Sequence, residues 1–380
     1  MPKLLSILRY AAYGAAALAL ATAAYVGVSL QGLRLDDATR VSVTSVADAL
    51  IARKLLPSIS YAVIEKGNLR PARTFGSTDM ASENQADSKT LYEAASLTKP
   101  FIAELARRLH SQGVIDLDEP VAQTLSNDRI VDKAAWSRVT ARHLLSHTSG
   151  LPNWSGDSRD TKRRDQLEFG FAPGSSFRYS GEGYGILLAF LEKKSGRRAE
   201  DLANELFKEL GMANSTLTAR DFVGEYARGH WGTTPSRQAW RTSEPIAAYS
   251  LFTNASDYGR LLSHVMKAHA AGRARNDPFT AIQTEVETTE SGESIGWSLG
   301  WGTLSRAHGT LYFQWGDNGA FRSFAAFDPI SRNGIVYFSN GSYGTIFADE
   351  LSAPVLGNIE TAVSWFSDAK IELARVWLRF

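Results

Sequence analysis

Strand patterns at the two ends of this 380-residue chain, with helical patterns between them, constrain its fold more than any other feature. Near the start, 58-SISYAVIEKGNLRPARTFG-76 alternates apolar residues around Glu65-Lys66-Gly67-Asn68, a hairpin signature. Near the end, 311-LYFQW-315, 321-FRSFAAF-327 and 335-IVYFSN-340 are strand patterns separated by Asp-Asn-Gly and Asp-Pro…Asn-Gly turns. Helical spacing marks Val41 to Leu55, Pro100 to Gln112 before Gly113, a short piece after the N-cap Thr140, Glu182 to Lys194, Ala199 to Leu210 and Ser256 to Ala270. This order predicts an α+β protein: one antiparallel sheet built from both termini, flanked by helices, with a helical lobe inserted.

Composition narrows the function classes. The chain is 44% hydrophobic and 21% charged with a formal net charge of +1, so no nucleic-acid partner is expected. Without cysteine there are no disulfides, no thiol catalysis and no cysteine-ligated zinc. His264 and His269 fit no zinc spacing and there is no His-Glu-x-x-His, so neither a metal nor a cofactor is expected.

At the N-terminus Lys3 and Arg9 precede a charge-free run from Tyr10 to Leu30. A spanning helix needs about 20 apolar residues, a secretory h-region roughly 7–15. The run is long enough for an uncleaved anchor, with Ala17-Leu18-Ala19 or Ala21-Thr22-Ala23 as cleavage sites in the secreted alternative. Positive charge on the N-terminal side keeps that end in the cytoplasm. The expected organisation is a cytoplasmic N-terminus (1–9), an anchor or signal segment (10–30), a linker (31–40), one main domain (41–366) and a C-terminal tail (367–380). That places the domain on the periplasmic side of the inner membrane.

The chemistry centres on 93-EAASLTKPF-101. Residues three apart on a helix are neighbours, so Lys99 reaches over the Ser96 hydroxyl. Pro100 fits a helix only within its first turn, where backbone N–H groups have no intrahelical partner to lose. Ser96 is therefore expected at a helix N-terminus, whose dipole favours negative charge on its oxygen. Spacing alone does not identify a nucleophile, because Ser367-Asp368-Ala369-Lys370 has the same form; that serine reads as solvated surface in a C-terminal helical segment.

The stretch 91-LYEAASLTKPFIAELARRLHSQGVIDLDEPV-121 resembles the serine β-lactamase and DD-peptidase superfamily, most closely its class C β-lactamase-related branch. The resemblance continues through 139-VTARHLLSHTSGLP-152 and 177-FRYSGEGYGILLAFLE-192 to the strands from Gln314 to Asn340. It implies a β-lactamase/transpeptidase-like fold and a serine hydrolase that forms an acyl-enzyme with an amide or ester. Ser96 is then the nucleophile, Lys99 its activator and Tyr179 the general base, with Lys99 or Tyr179 taking the first proton. A nearby Lys99 ammonium would lower the Tyr179 pKa from its ordinary value near 10.

Two positions depart from the resembled pattern. Gly181 stands where asparagine is usual, which removes an amide that would hold substrate or orient Lys99. Gln314-Trp315-Gly316-Asp317 stands for Lys-Thr-Gly or His-x-Gly on the innermost strand. By the resemblance Gly316 lets substrate lie close to the strand, and the Asp317 N–H joins that of Ser96 in an oxyanion hole. Neutral Gln314 hydrogen-bonds a carboxylate without pairing with it, and Arg322 is a candidate for the missing charge. His147 is read as structural. The partners implied are a small-molecule or peptide substrate, possibly derived from the cell wall, and the membrane through the N-terminal segment. The alternative function is a membrane-anchored penicillin-fold binding or sensor protein with little turnover.

Overall fold

The computed structural model describes residues 33, 35–82, 84–156, 165–221, 225–236, 241–273, 276–368 and 371. The anchor expected over Tyr10 to Leu30, Lys370 and the tail from 372 to 380 lie outside them. Among the described residues no helix is long and apolar enough to cross a membrane.

In chain order the main elements are α1 (Val43–Ala52), β1 (Ser58–Glu65), β2 (Asn68–Leu69), β3 (Arg73–Gly76), α2 (Thr98–Ser111), α3 (Gly181–Ser195), α4 (Ala199–Leu210), α5 (Ala255–Arg273), β4 (Thr284–Thr288), β5 (Ser294–Trp297), β6 (Gly302–Arg306), β7 (Gly309–Asp317), β8 (Arg322–Asp328), β9 (Asn333–Ser339), α6 (Ala348–Leu356) and α7 (Glu360–Phe366). The strands form one antiparallel sheet in the order β2-β1-β9-β8-β7-β6-β5-β4, with β3 beside β1. The two chain ends meet where Ile59 pairs with Ser339. Both residues of the Lys66-Gly67 turn have positive φ, which suits the right-handed twist of the hairpin. Pro71 interrupts the second arm, leaving it as two pieces along one edge of β1.

The sheet is covered on both faces, so its central strands are buried along most of their length and largely apolar. Ile335 and Tyr337 of β9 point into a core shared with α1 and α6, while Val336 and Phe338 point into the core beneath α2, α3 and α5. On β8 the same alternation sends Phe324 one way and Ala325 the other.

Three strands and two helices carry no clear sequence signal. β4 (TEVET) is a half-exposed polar edge, and β5 and β6 are short. Pro354 lies inside α6, two residues before its end, where its missing N–H forgoes one helical bond and the helix stops soon after. The helical segment expected around Ser367 ends at Phe366; Ser367 is the extended residue after α7, and its hydroxyl is shielded from solvent rather than solvated.

Candidate active site

Residues 95 to 97 form a single 3-10 turn leading directly into α2. Ser96 is therefore in the entry turn just before the α-helix, and Pro100 occupies its first turn, as the sequence requires. Ala95 holds a left-handed backbone with φ 51°, a conformation costing an L-residue roughly 1–2 kcal/mol. The surrounding elements impose it. Thr98 Oγ1 donates to Ala95 O (2.7 Å), Tyr258 Oη of α5 donates to Leu97 O (2.9 Å), and Ser323 Oγ of β8 donates to Ala94 O (2.7 Å). Ser96 itself is half-buried amid buried neighbours, so it is the residue of the turn that meets solvent.

Lys99 is buried, with its Nζ donating to Ser96 Oγ at 3.0 Å and to Ala248 O at 2.9 Å. Among the described residues no carboxylate forms an ion pair with its amine. Burial with no opposite charge lowers the Lys99 pKa to about 7. The amine also lies 4.8 Å from the Tyr179 ring centroid and 5.7 Å from that of Tyr184.

Tyr179 comes from the loop before α3 and meets this pair from above. Its hydroxyl hydrogen-bonds Ser96 and accepts from Gln314 Nε2 at 3.0 Å. The expected lowering of its pKa is not what the structure gives. Burial pushes the phenol well above its ordinary value, and the bonds to Ser96 and Gln314 only partly offset that. The reason is that the phenol is fully buried, and desolvation of the phenolate outweighs what its neighbours return.

His147 supports Tyr179 rather than reaching the serine. It follows the short helix Ala141–Leu145 with φ 58°, accepts from the Ser180 N–H through Nδ1 (3.0 Å), and lays its ring 4.3 Å from that of Tyr179. Burial, then the Lys99 charge, holds its pKa well below the usual value, so it is neutral, consistent with a structural part.

The innermost strand is β7. Gln314 and Trp315 point to opposite faces. Gln314 is buried on the Ser96 side; its Nε2 also donates to Trp315 O (2.8 Å), which fixes the amide because that carbonyl only accepts. Trp315 stacks on Phe366 of α7 (4.8 Å, 8°) with its ring 5.4 Å from that of Tyr179. A Cβ at Gly316 would fall 2.5 Å from Ala94 O and collide with Ser323 Oγ. The glycine thus serves the close approach of β7 to the serine-bearing segment, where room for substrate was expected.

Arg322 is buried and donates to Asp317 Oδ1 (2.6 Å) and to the Gly319 carbonyl. Its guanidinium is committed to the turn after β7, not to the cleft. Gly181 opens α3, and its N–H groups the chain to Asn153 (Oδ1, 2.9 Å). A side chain there would lie 2.9 Å from both Asn153 O and the Trp154 ring. The space of the missing asparagine is filled by Trp154, which packs edge-on to Tyr249 (5.9 Å).

The structure thus gathers Ser96, Lys99, Tyr179 and Gln314, packs Gly316 against Ala94 and Ala95 with Asp317 next along β7, and turns Trp315 toward α7. Sequence reasoning missed Ala95, Glu93, Asn318, Trp154 and Ala248. The Glu93 carboxylate is buried and accepts from Tyr226 Oη (2.5 Å) and Asn318 Nδ2 (2.8 Å). No local pattern signals such a contact. Among the described residues no cluster of three or more histidine or acidic groups could hold a metal.

Comparison with known proteins agrees with this architecture. A penicillin-binding protein of Bacillus subtilis (strain 168) is 29% identical over 186 residues, covering 44% of this chain but only 40% of that protein. The chain therefore spans less than half of that relative. Penicillin-binding protein 4 of Amycolatopsis lactamdurans is 26% identical over 349 residues, 82% of this chain and 88% of its own. A mutant class C beta-lactamase of known structure shares the fold with a TM-score of 0.66 at 21% identity, covering 84% of this chain and 96% of that one. Residues 43–353, from the first helix of the sheet's outer layer to the last turns of α6, match the Beta-lactamase family. With the antiparallel sheet, the serine turn and the tyrosine loop in their order, the chain belongs to the Beta-lactamase family.

Proposed function

We propose that this protein is a serine hydrolase that forms an acyl-enzyme at Ser96 with an ester or amide. The observation that carries this reading is Ser96 Oγ held 3.0 Å from a buried amine whose pKa is about 7. Neutral Lys99 takes the Oγ proton as Ser96 attacks the carbonyl carbon. The oxyanion of the tetrahedral adduct is received by the N–H groups of Ser96 and Asp317; one such donor contributes roughly 3 kcal/mol. Tyr179, protonated in the resting site, gives its proton to the departing oxygen or nitrogen as that bond breaks, and is reprotonated from Lys99. In deacylation water attacks the acyl carbon, passes its proton through the same pair, and Ser96 Oγ leaves protonated.

The substrate side follows from the wall residues. Both Nε2 hydrogens of neutral Gln314 are engaged by Tyr179 and Trp315, and Arg322 is bound to Asp317, so a carboxylate next to the scissile bond gains neither a free amide donor nor a cation from these two residues. This favours small neutral esters or amides over substrates that depend on a free carboxylate, within a family whose relatives are named for penicillin binding. Cell-wall-derived peptides and β-lactams are the other classes for such a site. A second reading is a membrane-anchored binding or sensor protein of penicillin fold with little turnover; the observation favouring it is Trp154 in the space of the absent amide at 181.

The deciding experiment treats the exported domain with a fluorophosphonate and follows intact mass. A stoichiometric adduct, absent in Ser96→Ala, is expected; a wild type that takes no adduct sinks the enzyme reading. Turnover of p-nitrophenyl esters against a chromogenic cephalosporin then separates the substrate classes, and acylation without turnover selects the sensor. We further place the chain at the outer face of the inner membrane through residues 10–30. Carbonate-resistant sedimentation of the full-length chain is expected, and recovery as a shorter soluble product points to signal cleavage instead.

A further inference from the structure

Two backbone N–H groups form the proposed oxyanion hole, and they come from separate parts of the fold. Ser96 lies on the turn after the short strand Tyr92–Glu93, and Asp317 lies at the end of β7. Donors of this kind work only while they hold their positions around the developing charge, so something must fix one segment against the other.

We propose that Glu93 and Asn318 are that device: a buried positioning pair that sets the spacing between the Ser96 and Asp317 N–H groups. The proposal rests on the acyl-enzyme reading above. Glu93 is 1% exposed, three residues before Ser96, and its own strand is pinned by pairing with Phe252. Asn318 is 6% exposed and directly follows Asp317. Glu93 Oε2 accepts from Asn318 Nδ2 at 2.8 Å and Oε1 from Tyr226 Oη at 2.5 Å.

An ionised carboxylate only accepts, so it fixes both partners as donors and gives the Asn318 amide one orientation. Burying such a group is costly unless it is hydrogen-bonded, and the Asn318 and Tyr226 contacts meet that condition. The turn beyond Asp317 is itself stiff: Asp317 Oδ1 accepts from Gly319 N (2.7 Å) and from Arg322, and Gly319 has φ 78°. A force applied at Asn318 is therefore transmitted to Asp317. The close approach of Gly316 to Ala94 and the Ser323 bond to Ala94 O complete the seam.

The test uses charge exchange. Asn318→Asp sets a second carboxyl against Glu93; assayed at about pH 9, where the two are least able to share a proton, their repulsion drives the turn away from the serine segment. The paired exchange, Glu93→Gln with Asn318→Asp, restores a donor–acceptor contact with its polarity reversed. For the full-length protein, the phosphonylation rate and kcat for p-nitrophenyl acetate are expected to fall about 100-fold in Asn318→Asp with KM nearly unchanged. The paired exchange is expected to return to within about 10-fold of wild type.

Thermal midpoints are recorded alongside. An exchange that restores the midpoint but leaves the rate at the single-variant level overturns the proposal, since a merely structural contact behaves that way. So does Asn318→Asp reacting as fast as wild type at that alkaline pH, where no shared proton can replace the lost donor. Should Asn318→Asp fail to fold, Asn318→Ala removes the donor without adding charge; a loss of about 10-fold in kcat supports the pair and an unchanged kcat overturns it. An unreactive wild type, by contrast, removes the acyl-enzyme reading itself.

Discussion

The two faces of β7 differ in what they bury. On one side Phe313 and Trp315 meet Phe366 and Trp365 of α7 in ring-on-ring packing. On the other, one residue along the same strand, Gln314 lies among Tyr179, Ser96 and Lys99. The first face gains stability from nearly every atom it hides. The second hides an amine and an amide carbonyl oxygen that has no partner among the described residues, and unpaired buried polar groups cost free energy. A single strand thus carries stability on one face and preorganised chemistry on the other.

The contrast is broken most severely at Ser96. Ser96→Ala should lower kcat/KM by at least about 10⁴-fold while leaving the thermal midpoint nearly unchanged, since one half-buried oxygen is lost from a turn held by other bonds. Assays of ester turnover beside calorimetry check both halves; a comparable fall in stability would place Ser96 in the scaffold instead.

Lys99→Met should cost about 10³-fold in activity yet raise stability. The sign follows from the lowered pKa. Between pH 7 and 10.5 the unfolded chain holds the Lys99 proton and the folded chain does not, so this group makes stability climb with pH across that window. Below about pH 7 the folded protein must bury the charge. Urea titrations over this range should show a flatter pH slope in Lys99→Met. Wild-type kcat/KM should rise as pH passes through about 7, because the neutral amine is the base; a flat profile there would remove Lys99 from that role.

Restoring an asparagine at position 181 tests the same face by crowding. Gly181→Asn should destabilise by about 1–3 kcal/mol because its Cβ meets Asn153 O and Trp154. Trp154→Ala in the same chain should recover part of the loss, read as a non-additive shift in denaturation midpoint. On the opposite face Phe366→Ala should cost about 1–2 kcal/mol with kcat unchanged once the chain is folded, since the ring is only partly buried and touches Trp315 rather than Ser96. The smallest effect is at Gly113, where φ is 71° with open space around it. Gly113→Ala should destabilise by about 1 kcal/mol through backbone strain alone.

Much of the fold was legible because it rests on local rules. Apolar periodicity marks α2, α3, α4 and α5, and Gly196 and Gly211 close α3 and α4 with left-handed φ. Thr140 caps its helix through the reciprocal contact with His143. Pro100 fixes the register of the serine turn. The edge strand β4 was not legible, because an exposed polar strand lacks the alternation that burial imposes. The proton chemistry was not legible either: the phenol was expected to be acidified by Lys99, and burial reverses the direction.

What the sequence determines by itself is short in range: which segments are helical or extended, where they stop, and which residues stand three apart. Spacing treats Ser96-x-x-Lys99 and Ser367-x-x-Lys370 alike. Only the tertiary structure separates Ser96 from Ser367, by burying Lys99 without a counter-ion and bringing Tyr179 and Gln314 onto the Ser96 hydroxyl from elements far along the chain. Reactivity here depends on dielectric surroundings and on distances of about 3 Å between remote residues, and neither quantity is a property of local sequence.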